Sequence, residues 1–515
     1  MSQPKSASAK TALNGTAREP SASEQYKRIR KLRTVGKFQE AMKLAANASQ
    51  QFPKDPEAHF LLGQTLTDFQ RYEAGAESMK HALELEPSNH QVRLAVCQAL
   101  LEAGKFQELL DLSEDWRSLP RVAAMMGATR AAAFCELEQR DRAKECASHI
   151  LKSAPADMMV YRQLVGYGLA TDDERVGPWL RKRVADESDW KETYKAEGWF
   201  LLAEYLHQRG EHAEAMETYK IANQVTRKTQ AKQFQAAYYP EREERRLARV
   251  KEFFPTDKLN NEAAATISDD LTRPVFILGM PRSGKSLVEY AIGAHPDVSA
   301  RRELPPFTAL GDQLEKQTKK PMTELLGLLT PKQRASIGAK YLKAIQSPEV
   351  REKWATDTNP MNLKGTGFLW ATIPGVRIVL IRRDPLDLAF ANFTKFMPKF
   401  PNGNLDPYEA GHQTRIMLDL INFWGSALKD RCLVIDYEDF VREPENKTRQ
   451  ILELMALEWD EACRPVAKQR AVESSGVDSR ERAALDDKFI GLATPYRDML
   501  DEMIEGLGPY GEAYR

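Results

Sequence analysis

From Leu271 onward, short apolar runs alternate with longer mixed stretches. Val275–Leu278, Arg377–Ile381 and Cys432–Ile435 are four or five residues long and rich in β-branched side chains. Apolar residues at consecutive positions imply burial on both faces, which predicts strands of a parallel sheet. Leu287–Ala294, Glu409–Leu428 and Glu445–Met455 carry helical spacing between them. This alternation predicts an α/β domain over 271–515, a class in which ligands sit at the carboxyl ends of the strands.

The first half has no such runs and instead repeats itself. Phe38, Tyr72 and Phe106 are spaced 34 residues apart; Gly36 and Gly104 stand two before an aromatic, Ala48 and Ala82 ten after, Pro53 and Pro87 fifteen after. This period, with small residues where paired helices touch, resembles the tetratricopeptide repeat. A later unit is legible at Trp199, Ala203, Gly210, His212, Ala215, Tyr219 and Ala222, with a weaker copy over 121–160 and a helical but unpatterned stretch over 160–195. The run from Gln233 to Phe254 reads as a closing helix. An all-α solenoid over 23–255 follows, because one repeat cannot bury its apolar face alone. Such a surface suits an extended peptide or protein partner, or serves to brace or dimerise the second domain. Residues 1–22 read as a disordered tail and 256–270 as a linker.

Composition removes several function classes. Lysine plus arginine equal aspartate plus glutamate at 74 each, which argues against a general nucleic-acid binder. The five cysteines are scattered without a C-x-x-C pair, pointing to a reducing, cytoplasmic setting and no zinc signature. No run approaches a membrane span, and the first 22 residues lack the apolar core of a secretory signal.

Chemistry concentrates after the first strand. Gly279 to Ser286 reads Gly-Met-Pro-Arg-Ser-Gly-Lys-Ser, a turn between strand and helix that fits the pattern G-x-x-x-x-G-K-[ST]. Glycines admit close backbone approach, and the first N–H groups of the helix point at an anion.

With His295-Pro296-Asp297-Val298, Glu303-Leu304, Thr356-Asp357, Pro360, Asn362, Arg382-Arg383-Asp384-Pro385-Leu386-Asp387 and Asp436–Val441, this segment resembles the bacterial tetratricopeptide-repeat sulfotransferases, relatives of the tyrosylprotein sulfotransferases. The resemblance covers most of 271–460, and the repeats complete the same two-part architecture. It implies the donor PAPS (3′-phosphoadenylyl sulfate), an acceptor hydroxyl and no metal. The catalytic candidates it implies are Glu303 as general base, with Lys285 and Arg282. Pro281, Arg282, Ser283, Gly284, Lys285 and Ser286 would hold the 5′-phosphosulfate, Arg383 the 3′-phosphate, and Tyr437 would touch the nucleotide.

Several positions depart from that family's pattern. Lys285 replaces a threonine of the loop, Thr358 stands where a transition-state lysine is expected, Ala391 replaces a serine partner of the 3′-phosphate, and Arg302 replaces a glycine. One account relocates the missing cation to Lys285 and Arg302; the other leaves a silent nucleotide-binding adaptor that works through the repeats. A third reading is a P-loop NTPase or kinase, with Lys285 on the β/γ-phosphates, Ser286 on magnesium and Asp436 as the acidic partner.

Overall fold

The aromatic period marks helix starts. The first elements are α1 (Ala22–Thr34), α2 (Phe38–Gln51), α3 (Pro56–Asp68), α4 (Tyr72–Leu85), α5 (His90–Ala103) and α6 (Phe106–Leu112), so Phe38, Tyr72 and Phe106 each open the second helix of a pair. Ser21 and Glu24 form a reciprocal cap that starts α1. Asp55 and Asn89 cap α3 and α5, and Gly104 ends α5 in the left-handed region. Small residues sit where helices touch: a Cβ on Gly63 would lie 2.7 Å from the Gly75 carbonyl oxygen across α3 and α4. Ala41, Ala45, Ala48, Ala58, Ala76 and Ala82 are fully buried.

Helices continue with α7 (Ala123–Glu136), α8 (Arg140–Lys152), α9 (Met158–Gly166), α10 (Val176–Ala185), α11 (Glu192–Gln208), α12 (His212–Phe234) and α13 (Pro240–Phe253). The expected closing helix is therefore split. Gln233 and Phe234 finish α12, and Pro240 opens α13 at its first turn, the one helical position where the missing N–H is harmless. The chain forms two compact units, residues 1–126 and 127–515, with the division inside α7. This computed structural model describes residues 21–69, 71–119, 121–153, 155–186, 192–234, 238–254, 272–304, 306–320, 324–325, 328–346, 352–397, 403–428, 430–464 and 487–515. The expected linker 256–270 and residues 1–20 of the expected tail lie outside them. No helix among the described residues is long and apolar enough to cross a membrane.

The second unit contains a five-stranded parallel sheet in the order β2-β3-β1-β4-β5, with β1 Arg273–Leu278, β2 Val298–Ser299, β3 Trp354–Asp357, β4 Arg377–Arg382 and β5 Cys432–Asp436. Strands β1, β4 and β5 match the apolar runs; β2 and β3 are too short and too polar to stand out. Alternate side chains of β1 and β4 feed two cores. Phe276, Leu278, Ile378 and Leu380 pack with Trp424, Tyr341 and Phe368, while Val275, Ile277, Val379 and Ile381 pack with Val288, Ile292 and Phe440.

The helices around the sheet are α14 (Lys285–Gly293), α15 (Pro306–Thr318), α16 (Pro331–Ile345), α17 (Thr366–Thr372), α18 (Pro385–Phe393), α19 (Pro407–Ala427), α20 (Tyr437–Arg442), α21 (Pro444–Leu454) and α22 (Asp501–Gly506). Two helical elements of the first half join this unit. Leu247, Val250 and Phe254 of the α13 region enter the sheet core, with Phe254 edge-on to Trp424 at 5.0 Å. Asn223 of α12 donates to the Phe393 carbonyl at the end of α18, 2.8 Å away.

Candidate functional site

Strand β1 leads to the left and β4 to the right in the sheet order, so their carboxyl ends flank a topological switch point, the usual ligand crevice of such sheets. The loop after β1 and the arginine after β4 meet there.

The loop Gly279–Gly284 is held in an unusual shape. Gly279 lies against β4, where a Cβ would sit 2.9 Å from the Ile381 carbonyl oxygen and 2.6 Å from Ser283 Oγ. Gly284 has φ of 97°, and a Cβ there would stand 2.5 Å from the Tyr437 ring. Arg282 adopts φ of 66°, a left-handed conformation that side-chain-bearing residues rarely take. Lys285 Nζ turns back to donate to the Met280 carbonyl at 2.9 Å and is buried. Asn392 Nδ2 donates to the Pro281 carbonyl at 2.9 Å. Ser283 is fully buried, and its hydroxyl has no hydrogen-bond partner among the described residues. Ser286, one residue into α14, is exposed.

Arg383 completes this side. The residue is 6% exposed; Nη1 donates to the Arg282 carbonyl at 2.9 Å, Nη2 donates to the Phe489 carbonyl, and Nε has no partner among the described residues. The group lies over the Tyr437 ring, 4.9 Å from its centroid. Burial is the largest influence on this guanidinium and lowers its pKa from the ordinary value. A cation so desolvated gains strongly from an anion.

Asp384 caps α18 by accepting from the Asp387 N–H at 2.9 Å. Asp387 accepts from the Gly491 and Ala493 N–H groups at 2.6 and 2.8 Å, which fastens the chain around Phe489 beside Arg383. Tyr437 thus packs between the loop glycine and the arginine. Asp387 closes the Arg382–Asp387 motif of the sequence; Asn392 carries no motif that marks it and follows the expected serine position, Ala391, by one residue.

The second side is the loop 301–304. Arg301 N–H donates to Thr356 Oγ1 at 2.8 Å, Arg302 N–H to Glu289 Oε1 at 2.8 Å, and Leu304 N–H to Asp357 Oδ1 at 3.4 Å. The Thr358 N–H donates to the Arg302 carbonyl at 2.9 Å, so Arg302 lies against the position where the family pattern expects a lysine. Glu303 is exposed at the tip. His295 is structural: it accepts from the Asp297 N–H through Nδ1 and contacts the Glu458 carbonyl through Nε2.

The acid that an NTPase would need is committed elsewhere. Asp436 lies on the edge strand β5, two strands from β1, and both its oxygens accept from Arg382 at 2.8 and 2.7 Å. Asp357, on the strand beside β1, accepts from Leu304 and Asn359 N–H groups through one oxygen and from Tyr341 and Asn362 through the other. The four donors fill the acceptor sites of Asp357 and leave none for a metal, and Asp436 is ion-paired with Arg382.

Burial pushes the Asp357 carboxyl up to about 7. The folded protein therefore holds a proton there that the unfolded chain has released above about pH 4. Stability should fall as pH rises from about 4 to 7, by roughly 1.4 kcal/mol per pH unit at most from this group. Asp357→Asn should remove that slope, so that its urea midpoint falls less between pH 5 and pH 8 than that of the wild type. Parallel unfolding curves at both pH values for the two proteins would contradict this.

Residues 274–461 match the family described as Sulfotransferase family, and residues 26–90 match Tetratricopeptide repeat. The chain joins tetratricopeptide repeats to a sulfotransferase-family domain. An uncharacterized protein of Aquifex aeolicus is 24% identical over 374 residues, which are 70% of this chain and 47% of that protein. Protein-tyrosine sulfotransferase 2 of Gallus gallus is 23% identical over 202 residues, 36% of this chain and 52% of the relative. Protein-tyrosine sulfotransferase of Drosophila melanogaster is 24% identical over 197 residues, 36% and 39% respectively. The chain thus spans about half the length, or less, of the curated relatives it matches. The solved sulfotransferase domain of the Synechococcus PCC 7002 olefin synthase is 18% identical, covering 44% of this chain and 91% of that one at a TM-score of 0.28.

Proposed function

We propose that the chain transfers a sulfuryl group from PAPS to a hydroxyl of a protein or peptide. The observation that carries this reading is the pair of buried donors without partners among the described residues, Ser283 Oγ and Arg383 Nε, on residues joined through the Arg282 carbonyl. Buried polar groups are rarely left unsatisfied, and two such donors side by side at the mouth of a glycine loop fit an anion.

In this reading the donor supplies an activated sulfuryl group, and the chain's residues hold and polarise it. Loop N–H groups, Ser283 and the first turn of α14 bind the 5′-phosphosulfate. Arg383 grips the 3′-phosphate with a planar fork that suits phosphate oxygens. Tyr437 supports both from below by packing on Gly284 and the guanidinium. Lys285 and Arg302 stabilise charge on the leaving phosphate, the role left vacant by Thr358. Glu303 takes the acceptor's proton. The tyrosine-directed relatives and the repeats both favour a protein acceptor. The repeats span 23–255 and the catalytic domain 271–515 in this account.

The test is calorimetric titration in chelator. Adenosine 3′,5′-bisphosphate should bind without metal, and ATP should not compete even when magnesium is restored. Magnesium-dependent ATP binding with no affinity for the bisphosphate would replace this reading with an NTPase.

A further inference from the structure

We propose that Glu289 is a positioning residue that locks the base-bearing loop to the phosphate-loop helix; this rests on the sulfotransferase reading with Glu303 as base. Glu289 is one turn beyond Lys285 on α14, on the same face of the helix, and is 3% exposed. A single carboxylate oxygen, Oε1, accepts the Arg302 N–H at 2.8 Å and the Thr356 hydroxyl, and that hydroxyl in turn accepts the Arg301 N–H at 2.8 Å. The phosphate-loop helix, strand β3 and the loop of Glu303 therefore converge on one atom.

The loop needs such an anchor. Arg302 sits at φ of 59°, a conformation that a residue with a side chain keeps only when its surroundings impose it. The Arg302 N–H points into the fold, where Glu289 is its acceptor. Removing that acceptor leaves the Arg302 N–H unsatisfied and weakens the hold on the N-terminal side of Glu303, where the Arg301 N–H to Thr356 and the Thr358 N–H to the Arg302 carbonyl remain, while the Asp357 bond to Leu304 holds the far side. Burial raises the Glu289 carboxyl pKa, opposed by these same hydrogen bonds, so a neutral amide can take over the accepting role. Glu289 touches no atom of the phosphate loop's cradle in the hydrogen bonds described. Its effect should fall on turnover and not on nucleotide affinity.

Glu289→Ala, Glu289→Gln and Thr356→Val in the full chain separate these effects. Glu289→Ala should lower kcat by about 10- to 100-fold, the scale of a misplaced catalytic group, with the dissociation constant of adenosine 3′,5′-bisphosphate unchanged. Glu289→Gln should restore most of the turnover, since its amide oxygen accepts both bonds. Thr356→Val, nearly isosteric, should lie between them. Amide hydrogen exchange over 300–304 should accelerate in Glu289→Ala and match wild type in Glu289→Gln. That readout needs no reaction. Unchanged exchange in Glu289→Ala, equal damage from Gln and Ala, or a parallel loss of bisphosphate affinity would overturn the proposal. A wild-type protein that transfers nothing from PAPS would instead overturn the sulfotransferase reading, and exchange alone would then decide whether Glu289 anchors the loop.

Discussion

Arg383→Ala is expected to weaken adenosine 3′,5′-bisphosphate binding by about 10²–10³-fold, the cost of removing one partner from a buried charge-assisted contact. The guanidinium already touches the phosphate loop through the Arg282 carbonyl, rests on Tyr437 and keeps Nε without a partner among the described residues. A 3′-phosphate is the anion that fits these donors in the proposed pose. Arg383→Lys keeps the charge but not the fork, so it should recover only part of the affinity. Adenosine 5′-phosphate, which lacks the 3′-phosphate, supplies the control. Its affinity should barely change in Arg383→Ala. An equal loss for both nucleotides would show that Arg383 shapes the loop and does not grip the 3′-phosphate.

Glu303→Gln should lower kcat for sulfuryl transfer by about 10²–10⁴-fold, the usual contribution of a positioned general base. Its bisphosphate affinity should stay at the wild-type level, because Glu303 stands on a loop held by Glu289, Thr356 and Asp357 and not on the phosphate loop. Glutamine keeps size and polarity and removes only the ability to take a proton. Single-turnover rates with saturating PAPS measure the chemical step without product release. Undiminished turnover would dismiss Glu303 as the base and direct attention to another acceptor of the proton.

Much of the architecture was legible in the residue pattern. The 34-residue spacing located the starts of α2, α4 and α6, because an aromatic at each start and small residues at each crossing are demanded by local helix packing. The runs at β1, β4 and β5 were legible because a strand buried on both faces must be apolar at every position. Strands β2 and β3 were not: two residues of β2 and four of β3, ending in Thr356-Asp357, carry too little hydrophobic signal. The Gly279–Ser286 loop was visible as a motif, and so was Asp436 as an acid after a strand. What Asp436 does was not, since its Arg382 partner lies on the neighbouring strand, 54 residues away.

The chain's own order of residues therefore settled local conformation and burial: a helical repeat region, a parallel sheet, a glycine turn that fits an anion, and an arginine at the end of a strand. Only the fold decided partnership. It brought α12 and α13 against the sulfotransferase-like unit, set Arg383 on a loop carbonyl 101 residues away and on the Phe489 carbonyl 106 residues away, and turned Glu289 from a helical glutamate into an anchor for the loop of Glu303. The reason is range. Periodicity and turn chemistry act within a few residues, whereas a buried hydrogen bond is satisfied by whichever distant group the packed core delivers to it.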